Sequence, residues 1–110
     1  MVCTHNRSTL LATCLESLAL QTLPPREFEI IVVDDGSTDA TPAVCARFCR
    51  LPHLRVIRQP NAGLGAARER GWRAGTAPVV AFLDDDAEAP PAWLVLALAR
   101  FDQNASAPFP

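Results

Sequence analysis

The sequence predicts an α/β fold: a parallel sheet of about four strands flanked by helices. Three observations predict it. Short apolar runs rich in β-branched residues alternate with stretches whose apolar residues recur at helical spacing. The connections between them are short, as right-handed βαβ crossovers allow. Two apolar runs, residues 30–33 and 79–83, end directly in acidic clusters, Asp34-Asp35 and Asp84-Asp85-Asp86. In an open α/β sheet the crevice beyond the carboxyl ends of the strands is where ligands bind, so both clusters are expected to open into one crevice.

Each element follows from its own residues. Val2-Cys3-Thr4 reads as the end of a short, clipped strand. Ser8 is a plausible N-cap for a helix whose apolar face is Leu11, Cys14, Leu15 and Leu18, closed by Pro24-Pro25. Residues 29–33 form a continuous apolar strand of the buried parallel type. The turn-rich segment 34–39 leads into a second helix, with Ser37, Thr38 or Asp39 as its cap and Val44, Cys45, Phe48 and Cys49 as its buried face. Residues 54–57 read as a third strand and residues 60–63 as a turn into a helix over 64–74, stopped by Gly75. Residues 78–83 read as a fourth strand. A last helix begins at Pro91 and turns Trp93, Leu94, Ala97, Leu98 and Phe101 toward the sheet, while residues 103–110 carry no pattern. One domain, residues 1–110, is expected.

Composition narrows the function. The 110 residues are 49% hydrophobic and 20% charged, which is ordinary for one globular domain. A net charge of −2 and no basic stripe argue against nucleic acid as a partner. All ten basic residues are arginine, which removes P-loop and Schiff-base chemistry. Cys3, Cys14, Cys45 and Cys49 form no C-x-x-C pair and read as reduced thiols, most of them small core residues in a cytosolic setting. No leader and no apolar stretch long enough to span a membrane is present in this sequence.

The acidic clusters carry the chemistry. Three adjacent carboxylates repel one another unless a cation or hydrogen-bond donors offset the charge, and magnesium or manganese with phosphate oxygens is the simplest offset. A solvated acidic loop capping a helix is the bland alternative, and the position after a buried strand argues against it. Asp34-Asp35 at a strand tip offers acceptors for a ribose or base edge, beside Gly36 for close backbone approach. Asn61-Ala62-Gly63-Leu64-Gly65 before a helix resembles a phosphate cradle, with Arg68 in its first turns as a partner for a diphosphate or for an ordinary salt bridge. Thr4-His5-Asn6-Arg7 ends the first strand at the same rim, able to contact ligand or to cap the helix that follows.

In order, Cys3-Thr4-His5-Asn6-Arg7, Val32 to Asp39, Asn61-Ala62-Gly63, Ala67-Arg68 with Gly71, and Phe82-Leu83-Asp84-Asp85-Asp86 resemble the family 2 glycosyltransferases. The resemblance covers essentially the whole chain. It implies the Rossmann-like, nucleotide-binding half of the GT-A fold. It further implies transfer of a sugar, with inversion, from a nucleoside-diphosphate sugar to a glycan, lipid or other hydroxyl acceptor. A UDP- or dTDP-sugar donor and a divalent cation, Mg or Mn, are the expected small-molecule partners. Thr4, His5, Asn6, Arg7, Asp34, Asp35, Asn61, Gly63, Arg68, Asp84 and Asp85 are then expected at the nucleotide. Asp86 and Asp84 match the D-x-D signature, Asp86 as the metal ligand and Asp84 toward ribose or sugar as well. Two positions depart from the family pattern: Glu69 stands where Asn often follows the arginine, and His5 where Tyr is frequent.

The family's catalytic base and acceptor half would lie beyond Pro110, so the chain is expected to be a truncated glycosyltransferase domain that does not turn over donor alone. It is expected in the cytoplasm or peripherally at the inner membrane face. Two alternatives stand beside this reading. One is a nucleotide-sugar-binding module without catalysis. The other is a receiver-like signalling domain, which the absence of lysine disfavours.

Overall fold

The computed structural model describes residues 1–105. Strands β1 (Val2–Thr4), β2 (Ile30–Asp35) and β3 (Leu54–Gln59) form a parallel sheet in the order β1-β2-β3. Helices α1 (Ser8–Ala19), α2 (Thr41–Phe48), α3 (Leu64–Ala74) and α4 (Trp93–Ala105) surround it. All six residues of β2 are buried, which is the position a continuous apolar run predicts.

Alternation along the strands assigns each side chain a layer. Val2, Ile30 and Val32 face α1 and α2, meeting Leu11, Cys14, Leu15, Val44, Cys45 and Phe48. Ile31 and Val33 face the other way, onto Ala67 of α3. A methyl group added at Gly71 of α3 would run into Met1 and Val33, so this glycine lets the helix lie close on the sheet. Helices therefore cover both faces.

Three strands, not four, make up the sheet among the described residues. Residues 78–83 do run beside β1, but the pairing is confined to Met1: its amino group donates to the Ala81 carbonyl at 2.7 Å, and Leu83 N–H donates to the Met1 carbonyl at 3.1 Å. Two bonds to one residue do not build a ladder, and the segment stays an extended flank.

Several boundaries also move. β2 and β3 run on through Asp35 and Gln59, because Asp34 pairs in register with Arg58 and Asp35 with Gln59. Helix α1 takes Arg7 rather than Ser8 as its N-cap and stops at Ala19, ahead of Pro24. Helix α2 is capped by Ala40, with Asp39 Oδ1 accepting the Thr41 N–H at 2.8 Å. Cys49 lies past the end of α2 and is exposed. Helix α4 begins at Trp93 and includes residues 103–105, so part of the expected patternless tail is helical; residues 106–110 lie outside the described region. Phe101 is exposed, whereas Trp93, Leu94, Ala97 and Leu98 are half-buried. None of the helices among the described residues is long and apolar enough to cross a membrane.

Candidate functional site

The carboxyl ends of β1 and β2, the start of α3 and the 82–86 segment enclose a cavity of about 420 Å³. Thr4, His5, Arg7, Asp35, Arg68, Asp84, Asp85 and Asp86 all line it. Asn6, Asp34, Asn61 and Gly63 do not, and each has an internal role instead.

Asp34 and Asp35 are neighbours on a strand, so their side chains leave on opposite faces. Asp34 turns toward α2, where it accepts the Ser37 N–H at 3.0 Å and the Arg58 guanidinium at 2.8 Å. Asp35 turns toward α3 and accepts four donors: Gln59 Nε2 at 2.8 Å, Asn61 Nδ2 at 3.2 Å, and the Ala62 and Gly63 N–H groups, both at 2.9 Å. The Gln59 bond above all, with the two backbone donors and against the effect of desolvation, holds its carboxyl below the ordinary carboxylate value. Asn61 and Gly63 thus tie the turn before α3 to the tip of β2. Asn6, in the left-handed region at φ 52°, does the same for the loop before α2, its Oδ1 accepting Thr38 N–H at 2.7 Å and Asp39 N–H at 3.3 Å.

His5 closes one wall. Its Nδ1 lies 2.8 Å from the Asp35 carbonyl and 3.3 Å from Asn61 Nδ2, and its Nε2 lies 3.3 Å from Asn6 Nδ2.

The aspartate triplet forms the opposite rim. Asp85 is buried and accepts the Thr4 hydroxyl at 3.0 Å, joining the tip of β1 to the triplet. Burial pushes its carboxyl above the ordinary value, with the Thr4 bond and Arg7 opposing that shift. Arg7 Nη1 lies 3.5 Å from Asp85 and 3.7 Å from Asp86, and Arg68 Nη2 lies 4.0 Å from Asp84. The Asp84 and Asp86 side chains are 77% and 53% exposed, and so are open to a ligand.

Among the described residues no group of three His, Cys, Asp or Glu side chains is arranged to hold a metal ion. Two exposed carboxylates beside two guanidinium groups still suit a hard divalent cation whose other ligands are phosphate oxygens and water, the usual way magnesium is held.

Sequence reasoning missed Arg58 and Gln59, and it gave no role to the apolar wall although Cys3, Leu64, Ala67, Phe82 and Leu83 stand within the motifs it quoted. Arg58 and Gln59 anchor the Asp34-Asp35 pair; pairing the acidic strand tip in register with the next strand would have found them. Met1, Cys3, Leu64, Ala67, Phe82 and Leu83 supply the apolar wall. Leu64, Ala67 and Arg68 share a helix face at spacings of three and four residues, which was a readable signal.

Known proteins bear on this geometry. The family model described as Glycosyl transferase family 2 matches residues 1–109. The validoxylamine A glucosyltransferase of Streptomyces hygroscopicus subsp. limoneus is 39% identical over 98 residues, covering 87% of this chain and 22% of that protein. The crystal structure of TarS 1-349 from S. aureus in complex with UDP superposes with a TM-score of 0.87 at 31% identity, over 96% of this chain and 32% of that one. The mannosyltransferase PcManGT of Pyrobaculum calidifontis, in complex with GDP-Man and Mn2+, gives a TM-score of 0.79 at 31% identity, over 90% of this chain and 30% of that one. The chain thus spans about a quarter of the length of the curated relatives it matches and about a third of the structures. A match over nearly every residue, with the GT-A architecture reproduced at this level, establishes that the chain belongs to glycosyl transferase family 2.

Proposed function

We propose that this chain is the donor-binding part of a glycosyltransferase that moves a sugar, with inversion, from a nucleoside diphosphate to an acceptor hydroxyl. One observation carries the reading: eight polar residues from separate parts of the sequence line one cavity at the strand ends, two arginines among them facing an aspartate triplet. The complexes of TarS with UDP and of PcManGT with GDP-Man and Mn2+ support the ligand class.

The roles follow from chemistry and access. Thr4, His5 and the rim of Asp35 border the base and ribose, with Leu64 and Phe82 as apolar surface for a ring. Arg68 and Arg7 offer guanidinium forks to the diphosphate. Asp86 and Asp84 are the exposed carboxylates that would hold a Mg or Mn ion. Such a cation, when bound, offsets the charge that develops on the departing diphosphate. Asp34, Asn6, Asn61 and Gly63 act indirectly, by fixing the loops that form the walls.

Deprotonating an acceptor is a different task. Among the described cavity residues, Asp35 is saturated by donors, Asp85 is committed to Thr4 and Arg7, and Asp84 and Asp86 lie beside arginines. We therefore assign donor binding to these 110 residues, with transfer dependent on groups they do not supply. Calorimetric titration of UDP with and without Mn2+, on the native sequence and on Asp86→Ala, tests the assignment. Binding should need the cation and be lost in the variant. Equal binding by both proteins, or sugar transfer by the isolated chain, contradicts it.

A further inference from the structure

We propose that Arg7 is a resident counter-ion of the aspartate triplet, displaced onto the diphosphate when a divalent cation takes its place, so that cation and diphosphate bind as a linked pair. The inference rests on the donor-site reading above and adds to it a residue that sets the order of charges in the site.

Three contiguous carboxylates need positive charge nearby, and Asp85, whose side chain is only 10% exposed, has little help from water. Arg7 supplies it. A single guanidinium nitrogen reaches Asp85 at 3.5 Å and Asp86 at 3.7 Å, while Arg68 stands 4.0 Å from Asp84. The Arg7 backbone is pinned as the N-cap of α1, its carbonyl accepting Leu11 N–H at 2.9 Å, yet its side chain is 51% exposed. The head group can therefore change partners while its root stays fixed.

Two arginines against three carboxylates leave the rim with one net negative charge. A diphosphate entering alone meets that charge, and a cation entering alone must compete with Arg7 for Asp86. Entering together, each finds an opposite partner: carboxylates turn to the cation, and the guanidinium forks turn to phosphate oxygens, whose geometry they match in a bidentate manner. By linkage, each ligand then strengthens the other by the same factor.

The test is Mn2+ affinity, read by electron paramagnetic resonance of the free ion with a UDP blank, in the native sequence, Arg7→Gln and Arg7→Lys, with folding checked by circular dichroism. Without UDP, Arg7→Gln should bind Mn2+ up to about fivefold more tightly, the scale of a half-exposed ion pair. Arg7→Lys, which keeps the charge, should stay near the native value. Adding UDP should tighten Mn2+ in the native chain and less so in Arg7→Gln. Unchanged or weaker Mn2+ affinity in a folded Arg7→Gln, with UDP still bound, overturns the role of Arg7 alone. If Arg7→Gln does not fold, Arg7→Met, which keeps the apolar stem and removes the charge, replaces it and is read in the same way. Absence of UDP binding under every condition instead removes the donor-site reading, and this inference with it.

Discussion

Asp35 is where the fold and the candidate site meet. Its four donors come from β3 and from the turn that starts α3, so a single carboxylate sets the distance between two cavity walls. Asp35→Asn would turn an amide N–H toward backbone N–H groups and lose the charge they solvate. The expected loss of stability is about 3 kcal/mol at neutral pH, measured by urea unfolding. The pH dependence has a definite sign. Because the folded carboxyl titrates below its ordinary value of 3.8, its stabilisation is complete above that value and disappears as pH falls through the folded one. The Asn variant should lack this acid-side decline.

At the scale of elements, the site depends on two loops held against each other. Gly36 has φ +73°, and an added Cβ would sit 2.6 Å from the Asn61 backbone nitrogen. The loop after β2 and the turn after β3 pack through that gap, which only glycine leaves open. Gly36→Ala should cost about 2 kcal/mol or more from strain and overlap, seen as a lower Tm. It should also weaken UDP binding even though Gly36 does not line the cavity. Three strands, most of the helix faces and the acidic tips were legible in the sequence because each has a local periodic or compositional cause, whereas Cys49 and Phe101 were assigned to buried faces and are exposed. What was not legible depended on long-range pairing. The extent of β2 and β3 comes from the register of Asp34 with Arg58 and Asp35 with Gln59. The outer flank at 78–83 has a strand-like composition but pairs only with Met1. The early stop of α1 at Ala19 has no signal in its own residues.

At the scale of the whole molecule, a sheet with helices on both faces leaves its strand tips open at one end, and the chain's polar chemistry is concentrated there. Motif order predicted that the acidic clusters, Thr4, His5, Arg7 and Arg68 would share a crevice. The structure brings Thr4, His5, Arg7, Asp35, Arg68 and the Asp84-Asp85-Asp86 triplet together, but Asp34, Asn6, Asn61 and Gly63, expected there too, belong to the supporting framework. Side-chain direction made that division: alternation along β2 parts Asp34 from Asp35, and the left-handed turn at Asn6 aims its amide at the next loop. A second cavity of about 400 Å³, bordered by Leu18, Phe28, Trp93 and Leu98, is apolar and offers no comparable set of charges. The central claim is therefore a claim of place. Amide chemical-shift mapping by NMR, with UDP and Mg2+ titrated into the isotopically labelled chain, tests it most directly. The account predicts that the largest shifts fall on residues 4–7, 64–68 and 83–86. Shifts centred on the apolar cavity between α1 and α4, or none in a folded chain, would contradict it.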